Sequence, residues 1–185
     1  MSEIKMSDYE FCPYCASQLK TKTVEGIQRK TCTYCKGWTH YPSVGQASVG
    51  IIIRKNKVLL VKRNRDPHKN TWGFPAGFVE YGEHPLDALK RETREEVNLI
   101  VTKARFIKFI QSDEDSRSPG HLVFFYWVTA KGKIANNDTD ENQKISWFDI
   151  KNPPEIGWPT HKEMMRFLQT KNGINEYSSR QAARY

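Results

Sequence analysis

A chain of 185 residues with 29 Lys and Arg against 21 Asp and Glu, net charge +8, has room for one ordinary domain and a small extra module. Its 38% apolar and 12% aromatic content supports a real core, which excludes global disorder, and no apolar run approaches a membrane span. The opening MSEIKMSDYE lacks the apolar stretch of a secretory signal, so a cytoplasmic protein with no membrane partner is expected. The basic balance suits a polyanionic ligand, a nucleotide or a nucleic acid.

All four cysteines fall early, as Cys12-Pro-Tyr-Cys15 and Cys32-Thr-Tyr-Cys35 with sixteen residues between the pairs. Two such knuckles read as a closed tetrahedral zinc site of four thiolates, the alternative being two disulfides, which a reducing cytosol disfavours. Alternation around Glu25-Gly26 predicts a hairpin, hence a zinc ribbon over residues 1–44 that metal must stabilise because so short a module buries little. His40 is a spare ligand at most, since four thiolates complete the shell. Pro42-Ser43-Val44-Gly45 marks a boundary, and a second domain is expected over residues 45–172, with a flexible tail at 173–185.

Ala47–Ile53 and Lys57–Arg63 read as two strands of a hairpin turning at Lys55-Asn56. Arg54, Lys55, Lys57, Lys62, Arg63, Arg65 and Lys69 crowd this region; Arg63 and Arg65 are the candidate substrate-phosphate contacts. His68 is read as an exposed loop residue or a phosphate contact, and Trp72 as packing or a base-stacking ring.

Within Gly77–Leu99, a helix is expected to start at Pro85, whose missing N–H is harmless at the first helical position. Leu86, Leu89, Thr93 and Val97 form its packing face, and Glu92, Glu95 and Glu96 the neighbouring one. Three like charges so close repel one another, and oxygen-ligated Mg²⁺ or Mn²⁺ would relieve the repulsion.

Strands are predicted at Ile100–Ile110, His121–Lys131 and Ile145–Ile150, with polar loops between them. Asp113, Glu114 and Asp115 in the first loop are a solvated run or metal contacts. Phe124 to Trp127 alternate faces: one pair is expected in the core, the other at a core, an interface or a base. Thr160 and Glu163 have the spacing of a capping box opening a last helix that buries Met164, Met165 and Leu168.

Gly77, Glu83, Arg91-Glu92-Thr93, Glu95-Glu96 and Leu99 match the Nudix box, G-x5-E-x7-R-E-U-x-E-E-x-G-U, with Thr93 at an apolar position and Asn98 where glycine ends the helix. The chain therefore resembles a Nudix hydrolase. The resemblance implies an α+β Nudix fold: a mixed sheet between helices, with the box as loop–helix–loop, preceded here by the ribbon. It also implies cleavage of a nucleoside diphosphate linked to another moiety. The family's metal ligands fall on Glu92, Glu95 and Glu96, helped by the backbone of Ala76 or Gly77. Arg91 takes the place of an orienting partner, Glu83 its acidic counterpart, and Glu95 or Glu141 the general base. A ribbon joined to such a domain resembles the FAD, ADP-ribose and NADH pyrophosphatase branches. The Ser-Gln-Pro-Trp-Pro-Phe-Pro motif of the NADH enzymes is replaced by Gln111-Ser112-Asp113-Glu114, which favours ADP-containing dinucleotides or sugars more generally. Alternatives are a nucleic-acid-binding regulator or an RNA-cap-removing enzyme that uses the ribbon and basic hairpin. A homodimer is a possible assembly.

Overall fold

The computed structural model describes residues 9–35, 38–40, 44–113, 120–170 and 173. Expectations placed on Glu114, Asp115 and nearly all of the tail lie outside them. The chain divides into two compact units, Met1–Val44 and Gly45–Tyr185. No described helix is long and apolar enough to cross a membrane.

In the first unit β1 (Lys20–Val24) and β2 (Ile27–Thr31) pair antiparallel, Val24 opposite Ile27. Glu25 and Gly26 link them with φ of 52° and 79°. Two successive left-handed residues match the twist of a tight hairpin, and glycine takes the second at no steric cost. The small core is Cys12, Leu19 and Cys32, with Cys35 and Trp38 packed against it.

The second unit runs β3 (Gln46–Arg54), β4 (Lys57–Arg63), β5 (Trp72–Gly73), β6 (Ala76–Phe78), α1 (Pro85–Val97), β7 (Ile100–Ser112), β8 (His121–Lys131), β9 (Asn142–Asp149) and α2 (Pro159–Gln169). These strands form a seven-stranded sheet of order β5-β4-β3-β8-β7, with β6 added to β3 and β9 to β4. The sheet is mixed: β3 runs parallel to β8 from Gln46 opposite Leu122 to Ile52 opposite Val128, whereas β4 and β9 are antiparallel. The expected β3–β4 hairpin pairs only at Ile53–Val58 and Arg54–Lys57, because β3 then turns to β8 and β4 to β9.

Each face of the sheet is covered by one helix. Met164, Met165 and Leu168 of α2 pack with Val49, Ile51, Phe74, Phe125 and Trp127. Leu89 and Val97 of α1 pack with Ile52, Leu59, Leu99, Tyr126 and Val128. Burying a side chain of this size stabilises by about 1.5–3 kcal/mol before entropy is counted. Phe125 and Trp127 thus lie in one core, while Tyr126 and the partly buried Phe124 join the other, so neither pair is left for a base. Trp72 packs edge-on against Phe148 at 4.6 Å.

The capping box at α2 does not form. Pro159 starts the helix one residue early, Trp158 becomes the capping position with no side-chain cap, and Glu163 instead accepts from Lys108 Nζ at 2.7 Å.

Candidate active site

At the start of α1, Pro85 is the first helical residue and His84 caps the turn, its Nδ1 accepting from Leu86 N–H at 3.1 Å. Ser48 Oγ donates to the Pro85 carbonyl at 2.8 Å, pinning this end to β3. At the other end Asn98 adopts φ 57° and gives its N–H to the Thr93 and Arg94 carbonyls. Asparagine tolerates this left-handed cap better than most residues, which is how it replaces glycine. Alongside, β6 passes so close that a Cβ on Gly77 would overlap the Glu92 carboxyl group. Only glycine lets that carboxyl reach the backbone.

Arg91 lies at the centre of the acidic cluster. Its Nε and Nη2 donate to the two oxygens of Glu83 at 3.0 and 2.9 Å, a bidentate pair. Nη1 donates to Glu92 at 2.5 Å and to Glu95 at 3.2 Å, and Nη2 also reaches the Phe78 carbonyl at 2.9 Å. Glu83 further accepts from Glu80 N–H at 3.0 Å, which closes the turn ahead of the helix. The Arg91 hydrogen bonds hold the Glu83 carboxyl below the usual carboxylate range. Burial raises Glu92 despite Arg91.

Glu96 is set apart. It is 5% exposed; one oxygen accepts from Ala76 N–H at 2.9 Å and the other from Asn142 Nδ2 at 3.0 Å. Burial pushes its carboxyl up to about 8, against both hydrogen bonds. The expected gathering of Glu92, Glu95 and Glu96 is therefore divided: Arg91 ties the first two, and Asn142 with Ala76 takes the third inward. Among the described residues, the only set of three or more His, Cys, Asp or Glu ligand atoms all within 4.8 Å of one another is the cysteine set. Like charges separate unless a cation stands between them, and Arg91 serves two of the three.

A divalent cation fits this donor set. The donors are hard oxygens, carboxylates and nearby peptide carbonyls, as Mg²⁺ and Mn²⁺ prefer. A buried carboxyl held at about 8 beside Ala76 is a group whose ionised form a cation would stabilise.

A cavity of about 350 Å³ runs from Glu80, Glu92, Glu95 and Glu96 to a wall formed by Phe74, Trp158 and His161. Arg63 and Arg65 both line it. Arg63 lies over the Trp158 ring at 5.3 Å and donates from Nε to the Pro67 carbonyl at 2.8 Å. Arg65 forms an ion pair with Glu141, so a proposed phosphate contact and a proposed base neutralise each other. Asn64 carries this loop onto β4, its N–H donating to the Glu141 carbonyl at 2.7 Å and its Nδ2 to the Thr139 carbonyl at 2.9 Å. His68 packs its ring on Trp158 at 4.5 Å. Asn142, Asp138, Trp158, Thr160 and His161 also line the cavity; the sequence assigned none of them to the site, Thr160 being expected only as a helix cap. Their signal was faint, because each sits in a loop or at an element end, where spacing carries no period.

In the other unit the four cysteine sulfurs cluster within 4.8 Å, with Cys12–Cys35 at 3.9 Å and Cys15–Cys32 at 3.6 Å, all free thiols. Cys35 N–H donates to Cys32 Sγ at 3.3 Å, as in a metal-binding knuckle. The convergence of four soft ligands fits a tetrahedral metal and not two disulfides. His40 lies outside the set, its ring 4.5 Å from that of Tyr9.

The NUDIX domain model matches residues 45–168. An ADP-ribose pyrophosphatase of Methanocaldococcus jannaschii is 32% identical over 126 residues, 67% of this chain and 73% of that protein. An NAD-capped RNA hydrolase, NudC, of Stutzerimonas stutzeri is 25% identical over 163 residues, covering 88% of this chain but only 55% of its own length, so the chain spans about half of that relative. The crystal structure of a NUDIX hydrolase from Nitrosomonas europaea superposes with a TM-score of 0.66 at 23% identity, covering 89% of this chain and 93% of the other, and speaks for the fold. Box geometry, domain model and sequence relatives agree, and the chain belongs to the NUDIX family.

Proposed function

We propose that the protein hydrolyses the pyrophosphate bond of a nucleoside diphosphate linked to another moiety, with ADP-ribose the first substrate to test and FAD and NADH next. A single arrangement carries this reading: a cavity whose one end is lined by Glu92, Glu95 and Glu96 against the Gly77 backbone, in a chain similar to an ADP-ribose pyrophosphatase. In this reading Glu92, Glu95, Glu96 and the carbonyls of Ala76 or Gly77 hold Mg²⁺ or Mn²⁺. When bound, the cations neutralise the diphosphate and polarise its phosphorus centres. Arg91, fixed by Glu83, orients the glutamates, while Arg63 and Arg65 bind phosphate oxygens. Glu95 and Glu141 are the candidate bases: Glu95 because it is the most exposed of the box glutamates, Glu141 once a phosphate draws Arg65 away.

Zn²⁺ in the four-cysteine set holds the ribbon, which we assign to residues 1–44 ahead of a catalytic domain at 45–172. Four free thiols suit the reducing cytoplasm. A second copy of the chain is the proposed assembly partner, Phe106 and Phe109 on β7 offering exposed apolar surface that sedimentation would test.

The deciding experiment is phosphate and AMP release from ADP-ribose, FAD and NADH with and without Mg²⁺, in wild type and Glu96→Gln. Gln keeps the size of the side chain and one of its two accepted hydrogen bonds, so the fold is checked by circular dichroism, while turnover drops by at least ~10²-fold if several kcal/mol of charge stabilisation are lost. An unchanged rate overturns the site. A second reading, removal of a nucleotide cap from RNA, is favoured by the NudC relatives and by the exposed Tyr14, Tyr34, Lys20 and Lys22 of the ribbon. Turnover on capped RNA against the free dinucleotide separates the two.

A further inference from the structure

The wall of the cavity away from the glutamates is made of donors. Helix α2 starts without a side-chain cap, and Pro159 at its first position has no N–H. Lys162 N–H is already taken by the Trp158 carbonyl at 2.8 Å. The peptide N–H groups of Thr160 and His161 therefore end at this wall without partners among the described residues.

His161 adds a third donor of fixed sense. The residue is 5% exposed and lines the cavity. Phe74 N–H donates to its Nδ1 at 3.2 Å, so Nδ1 is an acceptor and the ring proton is on Nε2. The rings of Phe74 and Phe125 flank it, with centroids 5.4 and 5.8 Å away. Burial, with Arg63 and His68 as nearby positive groups, lowers its pKa to about 3, so the imidazole stays neutral in ordinary buffers. No described protein group accepts from Nε2. His161 lines the cavity, where Nε2 can donate to water or to an acceptor on a ligand.

The ligand's chemistry follows from the two ends of the cavity. A diphosphate belongs with cations at the glutamates. The far end offers apolar surface and the neutral imidazole donor, with the Arg63 guanidinium over Trp158 beside it. The open helix turn attracts anions, whereas the aromatic rings and the neutral imidazole suit a flat heterocycle with ring-nitrogen acceptors; competition by inorganic phosphate separates the two. Thr160 Oγ1, able to donate or accept, suits an exocyclic amine beside such a nitrogen.

We propose that His161, assisted by Thr160 and the open first turn of α2, is a specificity-determining residue that donates through Nε2 to a ring nitrogen of a purine base. The proposal rests on the reading of this cavity as a nucleoside-diphosphate site.

The test measures calorimetric binding of AMP and of its 1-deaza, 3-deaza and 7-deaza analogues to the full chain, separately from hydrolysis. The expected result is that one analogue binds roughly tenfold more weakly than AMP, the loss of one hydrogen bond to a buried donor. The difference vanishes in His161→Leu and returns in His161→Gln, whose amide both accepts from Phe74 and donates to the ligand. The wild-type comparison alone decides if His161→Leu fails to fold. Equal binding of all four nucleotides, no binding of any, or displacement of AMP by inorganic phosphate as readily as by AMP itself overturns the proposal. Discrimination among the analogues without ADP-ribose turnover would sink the hydrolase reading and leave the base contact standing; turnover without discrimination would do the reverse.

Discussion

Glu96 and Asn142, 46 residues apart in sequence, are joined by a buried hydrogen bond of 3.0 Å between Oε1 and Nδ2. The bond ties the box helix to the first residue of β9, so the acidic helix is aligned against the sheet at its chemical centre. Asn142 is 2% exposed, and its carbonyl accepts from Asn136 Nδ2 at 2.7 Å, which anchors the preceding loop as well. Asn142→Leu leaves a buried carboxyl with one donor fewer. The expected cost is about 1–3 kcal/mol of unfolding free energy, together with weaker divalent-cation affinity. Chemical denaturation with and without Mg²⁺ measures both, and unchanged values would show the bond to be incidental.

Much of the fold was legible because it was periodic or punctuated. Leu89, Thr93 and Val97 at helical spacing are buried as expected, and Pro85 and Asn98 bound the helix that they promised. Glu25-Gly26 gave the ribbon hairpin, and the cysteine spacing gave a set of converging sulfurs. What spacing could not tell was direction. Glu92, Glu95 and Glu96 look equivalent along the helix, yet one turns inward to Asn142 and two outward to Arg91, a split decided by β6 and β9. The capping box at Thr160 failed because a proline one residue earlier set the helix start. His161 carried no signal in the sequence, because its burial depends on Phe74 and Phe125, which are far away along the chain.

Arg65 and Glu141 form an ion pair across the mouth of the cavity, with Arg65 the more exposed partner at 53% against 28%. So exposed a pair contributes little to stability, roughly 0–1 kcal/mol. Its expected role lies in binding. Arg65→Ala should raise KM for the diphosphate substrate by about tenfold with kcat nearly unchanged, the pattern of lost uniform binding. Glu141→Gln frees Arg65 and should lower KM; a fall in kcat as well identifies Glu141 as the base. Steady-state kinetics on the two variants decide, and a KM indifferent to both removes Arg65 from the binding site.

His161 makes stability depend on acid. Its folded-state pKa lies near 3, depressed first by burial and then by Arg63 and His68, below the ordinary histidine value of 6.5. Between those values the unfolded chain binds a proton that the folded chain refuses. Stability from this residue is therefore full above pH 6.5 and is lost as pH falls toward 3, with a slope of up to about 1.4 kcal/mol per pH unit. Urea denaturation from about pH 7.5 to about pH 4.5 should show wild type losing stability relative to His161→Gln as pH falls; Glu96, raised to about 8, gains stability over the same range in both proteins and cancels in the difference. Identical profiles would mean that the imidazole is not excluded from water as the structure shows.

The cysteine set predicts a metal dependence confined to one unit. The ribbon's core is Cys12, Leu19 and Cys32 with little else, whereas the other unit has two apolar clusters of its own. So small a core cannot offset the entropy of ordering the hairpin, and metal binding must make up the difference. Treating the full chain with a strong Zn²⁺ chelator, or replacing Cys32 by Ser, should release amide protection at Lys20–Thr31 while Val49, Leu60 and Phe125 stay protected. Hydrogen exchange followed residue by residue reads this directly. Retained protection across β1 and β2 in metal-free protein would show that the hairpin stands without the ion; loss of protection in both units would show that they unfold as one.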